Sequence, residues 1–214
     1  MFKKFFLILI IILSYLTSAL AEKVIVFEFT EEEKKILKVR KIKKETTYTL
    51  GSNENGNFLK AESEGKASGL GIEKKINLLK TPFINITWKV EKDLFGINEK
   101  SKKGHDYAAR VFVIKKTGKT ALSNRAINYV FSSNNNIGEN WKSPFTKRSI
   151  DYVLASTKNN LNEWVTVKAN VKDHFKELHM IDVNEIDGVA IMTDTDNSKK
   201  PAIAYYQNIY FSSE

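Results

Sequence analysis

Phe83-Ile-Asn-Ile-Thr-Trp-Lys-Val-Glu91 is the segment that most clearly predicts the fold, because apolar and polar residues alternate along it. Successive side chains of a β-strand point to opposite faces, so one face of this strand is apolar and the other is polar. The apolar face consists of Ile84, Ile86, Trp88 and Val90. A strand with one buried and one hydrated face is typical of an antiparallel sheet.

Strand-like segments recur on both sides of this one, separated by polar turns. They are residues 24–29, 46–50, 58–63, 67–79, 107–114, 126–131, 150–155, 164–169, 189–193 and 203–211. Two of them, residues 150–155 and 164–169, are expected to pair with each other across Asn159 and Asn160. The sequence therefore predicts an all-β fold, a jelly-roll β-sandwich of two antiparallel sheets.

One short helix is expected in the sandwich, at about residues 171–179. Asn170 can cap it, and Val171, Phe175 and Leu178 recur at helical spacing. A capping-box sequence also begins at Thr30. It predicts one helical turn at most, because the residues that follow alternate between apolar and basic.

The first 21 residues have the three parts of a secretory signal peptide. Two lysines precede an apolar stretch, residues 5–13, and the cleavage pattern Ala19-Leu-Ala21 follows. The apolar stretch is short for a membrane span, and an uncleaved membrane anchor is the alternative. We expect residues 1–21 to be removed, which leaves residues 22–214 as a single exported domain without a transmembrane segment.

The composition narrows the class of protein further. There is no cysteine, which excludes disulfides, zinc–thiolate sites and cysteine nucleophiles. The formal charge of +9 falls to +7 when Lys3 and Lys4 leave with the signal peptide. Lysines are dispersed among acidic residues, as in Glu31-Glu-Glu-Lys-Lys35. We therefore expect a hydrated basic surface and no nucleic-acid partner, with weak contact to anionic surfaces as the alternative.

Carboxylates follow the apolar segment Val189-Ala-Ile-Met-Thr193. Asp194 and Asp196 are two residues apart, which on a continuing strand places their Cα atoms about 6.5 Å apart on one face. The first interpretation is a corner in which these side chains bind the backbone. The second is a binding site for a ligand or a calcium ion, and the third is an acid–base pair for glycoside hydrolysis.

Arg110 is the second candidate, because it shares a predicted strand face with Phe112. A buried arginine needs a carboxylate partner, and Asp106, Asp194 or Asp196 can supply one from a neighbouring strand. The alternative is that Arg110 contacts a carboxylate or hydroxyl of a ligand.

Aromatic residues supply further candidates. Trp141 lies in a polar loop, where it can stack on a sugar or fold back over the edge of the core. Tyr205 and Tyr206 are adjacent, so one of them faces outward or into a cleft. We include Tyr206 among the candidate ligand-binding residues.

Five strings of residues, in this order, resemble a known family: Gly104-His-Asp-Tyr-Ala-Ala-Arg-Val-Phe-Val113, Ala126-Ile-Asn-Tyr-Val130, Trp141-Lys-Ser-Pro-Phe-Thr146, Val189-Ala-Ile-Met-Thr-Asp-Thr-Asp-Asn197 and Ala204-Tyr-Tyr206. The family is an uncharacterised group of exported bacterial proteins, catalogued as domain of unknown function 3047, and the resemblance covers nearly the whole chain after residue 23. It implies a periplasmic β-sandwich similar to the galactose-binding-like jelly rolls. Many of those bind carbohydrate, and some hold a structural calcium.

The resemblance makes a set of residues candidates for ligand binding: Asp106, Arg110, Asn128, Trp141, Asp194, Asp196 and Asn197. The chain departs from the family pattern at three positions. His105 stands where an acidic residue is expected, Phe145 where tyrosine is expected and Lys199 where glycine is expected. The missing acid at His105 weakens a metal site built from adjacent carboxylates.

Together these features predict a non-enzymatic module that binds a glycan or another envelope component. One alternative is a hydrolase that acts on a carbohydrate or ester with an aspartate acid–base pair. Another is a structural envelope protein whose basic surface meets anionic lipid or polymer. No cofactor is expected apart from a structural calcium at Asp194 and Asp196.

Overall fold

The computed structural model describes residues 21–120 and 123–214. The predicted signal peptide therefore lies outside the described residues, apart from Ala21. No helix in the described ranges is long and apolar enough to cross a membrane.

The described residues form fifteen strands and three α-helices. In chain order the strands are β1 (Lys23–Phe27), β2 (Lys38–Lys41), β3 (Thr47–Asn53), β4 (Gly56–Glu64), β5 (Ala67–Ile72), β6 (Ile76–Asn77), β7 (Phe83–Lys92), β8 (Tyr107–Lys115), β9 (Arg125–Ser132), β10 (Asn140–Lys142), β11 (Ser149–Ser156), β12 (Val165–Asn170), β13 (Glu185–Ile186), β14 (Gly188–Asp194) and β15 (Pro201–Ser212). The helices are α1 (Glu31–Ile36), α2 (Thr157–Asn160) and α3 (Val171–His179).

Most strands belong to two large sheets, which pack face to face. The six-stranded sheet has the order β12-β7-β15-β4-β3, with β1 beside β15. The seven-stranded sheet has the order β10-β11-β9-β8-β14-β5-β2, and β6 pairs with β13 in a small separate sheet. This architecture confirms the predicted all-β sandwich.

The core lies between the two sheets. Strand β7 shows the predicted alternation, since Ile84, Ile86, Trp88 and Val90 are each 0% exposed. The Trp88 ring packs against Phe131 of the seven-stranded sheet, with ring centroids 5.5 Å apart. The apolar face that was read from the sequence therefore joins the two sheets.

Strands β11 and β12 do not pair, so the predicted pairing of residues 150–155 with residues 164–169 was wrong. Strand β11 runs parallel to β9, and β12 lies antiparallel to β7 in the other sheet. Helix α2 separates them, and Thr157 Oγ1 donates a hydrogen bond of 2.8 Å to Asp93 Oδ2. This connection crosses between sheets, which apolar alternation cannot reveal. The parallel pair also departs from the expected purely antiparallel sheets.

The helical predictions are only partly met. Helix α3 spans the predicted residues, and Asn170 Oδ1 accepts a hydrogen bond of 3.2 Å from the Asp173 amide. Helix α1 has six residues rather than a single turn. Its cap follows the predicted pattern in part: Thr30 Oγ1 accepts from the Glu33 amide at 3.1 Å, and the Glu33 carboxylate accepts at 2.7 Å from the amide of Phe29, the residue before the N-cap.

The segment after β5 also differs from its prediction. Residues 73–79 were expected to continue as a strand, but they contain only the two-residue strand β6. Asn77 ends it, because its side-chain oxygen accepts a hydrogen bond of 2.9 Å from the Leu79 amide and bends the chain.

Replacing Trp88 by alanine should lower the free energy of unfolding by about 3–5 kcal/mol, because the change leaves a cavity where the two sheets meet. Thr87 is the matched control on the opposite face of the same strand, where its hydroxyl lies 2.8 Å from that of Thr166. Thr87→Ala should cost about 1 kcal/mol or less. Urea denaturation measures both values, and equal losses would contradict the assigned faces of β7.

Candidate functional site

A buried ion pair at the end of β14 is the centre of the candidate site. Arg110, on the adjacent strand β8, donates from Nη2 to Asp194 Oδ2 at 2.6 Å. The two residues are 5% and 2% exposed. The Tyr107 amide donates to the other oxygen of Asp194 at 3.3 Å. Among the carboxylates considered for Arg110, Asp194 is therefore the one that pairs with it.

Asp106 holds the turn that follows β14. Its carboxylate accepts hydrogen bonds from the backbone amides of Asn197 at 3.2 Å and Ser198 at 2.5 Å, and from Asn197 Nδ2 at 2.9 Å. Asp196 lies half-buried in the same turn. Side-chain to backbone bonds of this kind fix a corner of the chain. The geometry thus supports the corner interpretation of the carboxylates first.

Burial raises the pKa of the Asp194 carboxyl to about 7, against the lowering effect of the Arg110 guanidinium. The neighbouring carboxylates of Asp106 and Asp196 also raise this pKa. Removing an ionised carboxylate from water is costly even beside a cation, which is why burial outweighs the ion pair. The charge state of the corner therefore changes near neutral pH.

The contacts of the three carboxylates are those of a structural corner, and they leave few free oxygens for a calcium ion. Asp106, Asp194 and Asp196 each place an oxygen within 4.8 Å of the other two. Calcium takes about six to eight oxygen ligands. Here Arg110 already provides the positive charge beside Asp194, and both oxygens of Asp106 already accept hydrogen bonds from the turn.

A second buried polar cluster lies across β9 and β11, and its central residue, Asp151, was not among the predicted site residues. Asp151 is 0% exposed, and its Oδ2 lies 2.7 Å from His105 Nε2. Its Oδ1 accepts a hydrogen bond of 2.6 Å from Asn128 Nδ2. One signal could have identified Asp151 itself, because it is the one charged residue in the otherwise apolar predicted strand at residues 150–155.

These residues share the outer face of the seven-stranded sheet, because directly opposite residues on paired strands point to the same side. Trp141 is opposite Asp151, Asp151 is opposite Asn128, and Asn128 is opposite Phe112. Arg110, two residues before Phe112 on β8, lies on the same side. We call this surface the polar face and define it by these residues and Tyr107: Tyr107, Arg110, Phe112, Asn128, Trp141 and Asp151.

Aromatic rings border the polar face. Trp141 packs on the cluster formed by Tyr107, Val130 and Val153. The His105 ring meets those of Tyr107 and Phe145 edge-on, with centroids 5.2 and 5.4 Å away. His105 and Phe145 therefore contact each other beside the candidate residues.

Buried polar atoms without a hydrogen-bond partner are concentrated on the polar face. Within the described part of the chain there are five such side-chain atoms, and four of them are here. They are Tyr107 Oη, Arg110 Nε, Asn128 Oδ1 and Trp141 Nε1. The fifth is Trp88 Nε1 in the core. Because an unpaired buried polar atom is costly, this concentration points to a ligand or ordered water.

Tyr206 lies in the core and not on the polar face. It is 0% exposed, and its hydroxyl donates to the Met192 carbonyl at 2.6 Å while accepting from the Arg110 amide at 3.2 Å. The phenol therefore ties β15 of one sheet to β14 and β8 of the other.

Its neighbour Tyr205 faces outward on the six-stranded sheet. Its ring lies 5.6 Å from that of Phe58 and 5.9 Å from that of Trp164, between ring centroids. We call these three residues the aromatic group. They are half-buried and lie on the side of the molecule opposite the polar face.

Two shallow depressions, with volumes of about 270 and 760 Å³, lie beside β1. Both are lined by Lys23, Ile25, Glu28 and Thr30, and neither contains a candidate residue. These depressions therefore lie away from the polar face.

The aspartates are poorly placed for acid–base catalysis. Such catalysis needs two carboxyls that reach a substrate. Asp106 and Asp194 are 0% and 2% exposed, and both are hydrogen-bonded within the protein. The corner is thus built for structure rather than for proton transfer to a substrate.

Comparisons with known proteins give a family and a fold. A family model described as "Protein of unknown function (DUF3047)" matches residues 32–210. No protein of curated function matches the chain in sequence.

Among solved structures, the chain is similar to a family 30 carbohydrate-binding module of the cellulosomal cellulase Cel9D-Cel44B of Clostridium thermocellum. The two chains share 10% identity with a TM-score of 0.53, and the match covers 90% of this chain and 98% of that chain. Another family 30 module gives 10% identity and a TM-score of 0.50, with coverage of 90% and 88%. A cellulase derived from Cel12A of Rhodothermus marinus gives 9% identity and a TM-score of 0.44, with coverage of 83% and 88%. At such identities the two modules show the fold alone, and the cellulase match is too weak to support an argument.

Asp194→Asn should remove part of the pH dependence of stability. The pKa of Asp194 rises from 3.8 to about 7 on folding, so between these values the folded protein holds a proton that the unfolded chain has released. Stability from this group is complete below about pH 4 and is lost as pH rises through 7. From pH 5 to pH 8, the wild-type protein should lose roughly 1–3 kcal/mol relative to the variant in urea unfolding. Parallel profiles would show that burial does not control this carboxyl.

Calcium should not stabilise the protein. Chelator-treated protein should keep its Tm within about 1 °C when millimolar calcium is added, because an ion that does not bind the folded state cannot shift the unfolding equilibrium. Differential scanning calorimetry measures this, with magnesium as the matched control. A rise of several degrees with calcium alone would contradict the ion-paired corner.

Proposed function

This chain belongs to the DUF3047 family of proteins of unknown function, and we propose that it is a non-enzymatic carbohydrate-binding module that binds a glycan on the polar face. The four unpartnered buried atoms on that face are the observation that carries the proposal. The periplasm is the location that goes with it, since an envelope glycan is then within reach.

The chemistry of these atoms matches a sugar. Arg110 Nε and Trp141 Nε1 are donors, Asn128 Oδ1 is an acceptor, and the Tyr107 hydroxyl is both. Sugar hydroxyls both donate and accept, so one pyranose ring can satisfy a mixed set of this kind. A ligand with only acceptors or only donors would leave part of the set unpaired.

The rings around these atoms supply the apolar side of the site. Phe145 is 57% exposed, and Trp141 is half-buried with the Lys100 amine 4.8 Å from its ring centroid. A pyranose has an apolar face of C–H groups that can pack on such rings. Phe145 and Trp141 therefore form the rim through which a glycan would reach the buried atoms.

Two further observations support binding rather than hydrolysis. The fold is shared with two modules whose names describe carbohydrate binding, which supports this activity. The buried state of Asp106 and Asp194 argues against a hydrolase that uses these two carboxyls. In this proposal Asp106 and Asp194 hold the structure of the corner, and the polar face binds the ligand.

Tyr107→Phe is the sharpest variant, because the hydroxyl it removes has no protein partner. We expect affinity for the glycan to fall about three- to tenfold, the effect of one lost hydrogen bond, while the Tm stays the same or rises. Isothermal titration with cellohexaose, xylohexaose, mannohexaose and chitohexaose gives the affinities. Tyr210→Phe, on the outer face of the other sheet, is the matched control and should leave affinity unchanged.

A pair of tryptophan variants decides between the two outer faces. Trp141→Ala should weaken glycan binding more than tenfold, and Trp164→Ala, in the aromatic group, should leave it unchanged. If Trp164→Ala weakened binding and Trp141→Ala did not, the glycan would bind at the aromatic group and not on the polar face. Absence of heat with all four oligosaccharides, from folded protein, would overturn the proposed function.

A further inference from the structure

The edge of the seven-stranded sheet carries a dense basic segment that glycan binding does not use. Residues 34–44 read Lys-Lys-Ile-Leu-Lys-Val-Arg-Lys-Ile-Lys-Lys and hold seven basic residues and no acidic one. They cover the last turn of α1, the edge strand β2 and the bend after it. All of them except Leu37 are exposed. We call this segment the basic edge.

Large apolar side chains are interleaved with the charges of the basic edge. Ile36, Val39 and Ile42 are 68%, 57% and 58% exposed, although this segment is ordered against the sheet. Leu37 is buried, and the amides of Ile42 and Lys43 donate to the Ala67 carbonyl at 2.9 and 3.0 Å. The backbone is therefore held in place while the apolar tips remain in water.

Few ion pairs compensate the positive charge within the basic edge, although Glu31, Glu32 and Glu33 precede it in α1 and Glu45 follows it. Lys38 pairs with Glu73 at 2.8 Å, and Lys41 lies 4.0 Å from Glu45. All four side chains are more than half exposed, so these pairs contribute little. Lys199 lies beside Lys43 and adds to the positive field.

We propose that the basic edge docks the protein on an anionic phospholipid surface. Lysine and arginine near such a surface are attracted to its headgroups. The exposed isoleucines and valine can then enter the boundary between headgroups and acyl chains, as apolar residues of interfacial segments do. A polyanion in water would use the charges but leave the three apolar side chains unburied, which is why a lipid surface is the better partner.

A Lys-rich edge strand has a second use, since charge on an edge prevents two sheets from joining. Preventing two sheets from joining requires a polar edge. The exposed apolar side chains of Ile36, Val39 and Ile42 would favour association instead. The basic edge lies at the far side of the sheet from Trp141 on β10. Lipid docking is therefore independent of the proposed glycan site and can succeed or fail without it.

Vesicle co-sedimentation of the purified protein tests the proposal. We expect binding to vesicles of 70% phosphatidylcholine and 30% phosphatidylglycerol, little binding to pure phosphatidylcholine, and a steep loss with added salt, because salt screens the attraction. Arg40→Glu with Lys43→Glu should lower the partition coefficient more than tenfold. Ile36→Ser with Ile42→Ser should lower it several-fold while all charges remain.

The matched control is Lys158→Glu with Lys176→Glu, which makes the same charge change at two exposed lysines elsewhere. It should keep at least half of the wild-type partition coefficient. An equal loss in this control would show attraction to net charge only and would overturn the proposal. Failure to bind the phosphatidylglycerol vesicles, or binding to dextran sulfate without binding to vesicles, would also overturn it. The proposal would fail too if the variant with Arg40→Glu and Lys43→Glu formed dimers but bound vesicles as well as the wild-type protein, because the charges would then only keep two sheet edges apart.

Discussion

The buried ion pair between Arg110 and Asp194 is the interaction on which the rest of the site depends. It joins β8 to β14 where a register shift between Met192 and Asp194 interrupts regular pairing. Two charges removed from water are costly unless their remaining hydrogen-bonding groups are satisfied. The Tyr107 amide meets this need at Asp194. Arg110 Nε stays unpaired and faces the surface where the other unpartnered atoms lie.

The two faces of the seven-stranded sheet have different tasks. Its inner face is apolar and packs on β7 and β15, with Trp88 and Tyr206 at the junction. Its outer face carries charged and amide side chains that would be expensive to bury in the core. Because the inner face supplies the stability, the outer face can keep polar atoms unpaired. The outer side of this rigid sheet therefore carries donors and acceptors that have no partner within the described residues.

Much of the fold is predictable from local pattern, and much of the site is not. Strand β7 is predictable because apolar and polar residues alternate along it. Helix α3 is predictable because its apolar residues recur at helical spacing and Asn170 can cap it. The pairing of Arg110 with a carboxylate is also predictable, since a buried arginine requires one. The cluster of His105, Asp151 and Asn128 is not, because its members come from separate segments that only strand pairing brings together. For the same reason Tyr205 and Tyr206 could not be told apart by alternation alone.

The sequence by itself determined the all-β class, the inward face of β7 and the bounds of α3. These properties depend on neighbours along the chain, so a linear pattern contains them. Tertiary structure decided that β11 lies parallel to β9, that β12 lies in the other sheet, and that Asp194 rather than Asp106 or Asp196 neutralises Arg110. It also decided that Asp106 holds a turn and that Tyr206 is buried. Those outcomes depend on which strands pair and pack with each other. A local sequence pattern does not contain this information, because the strands that pair are distant along the chain.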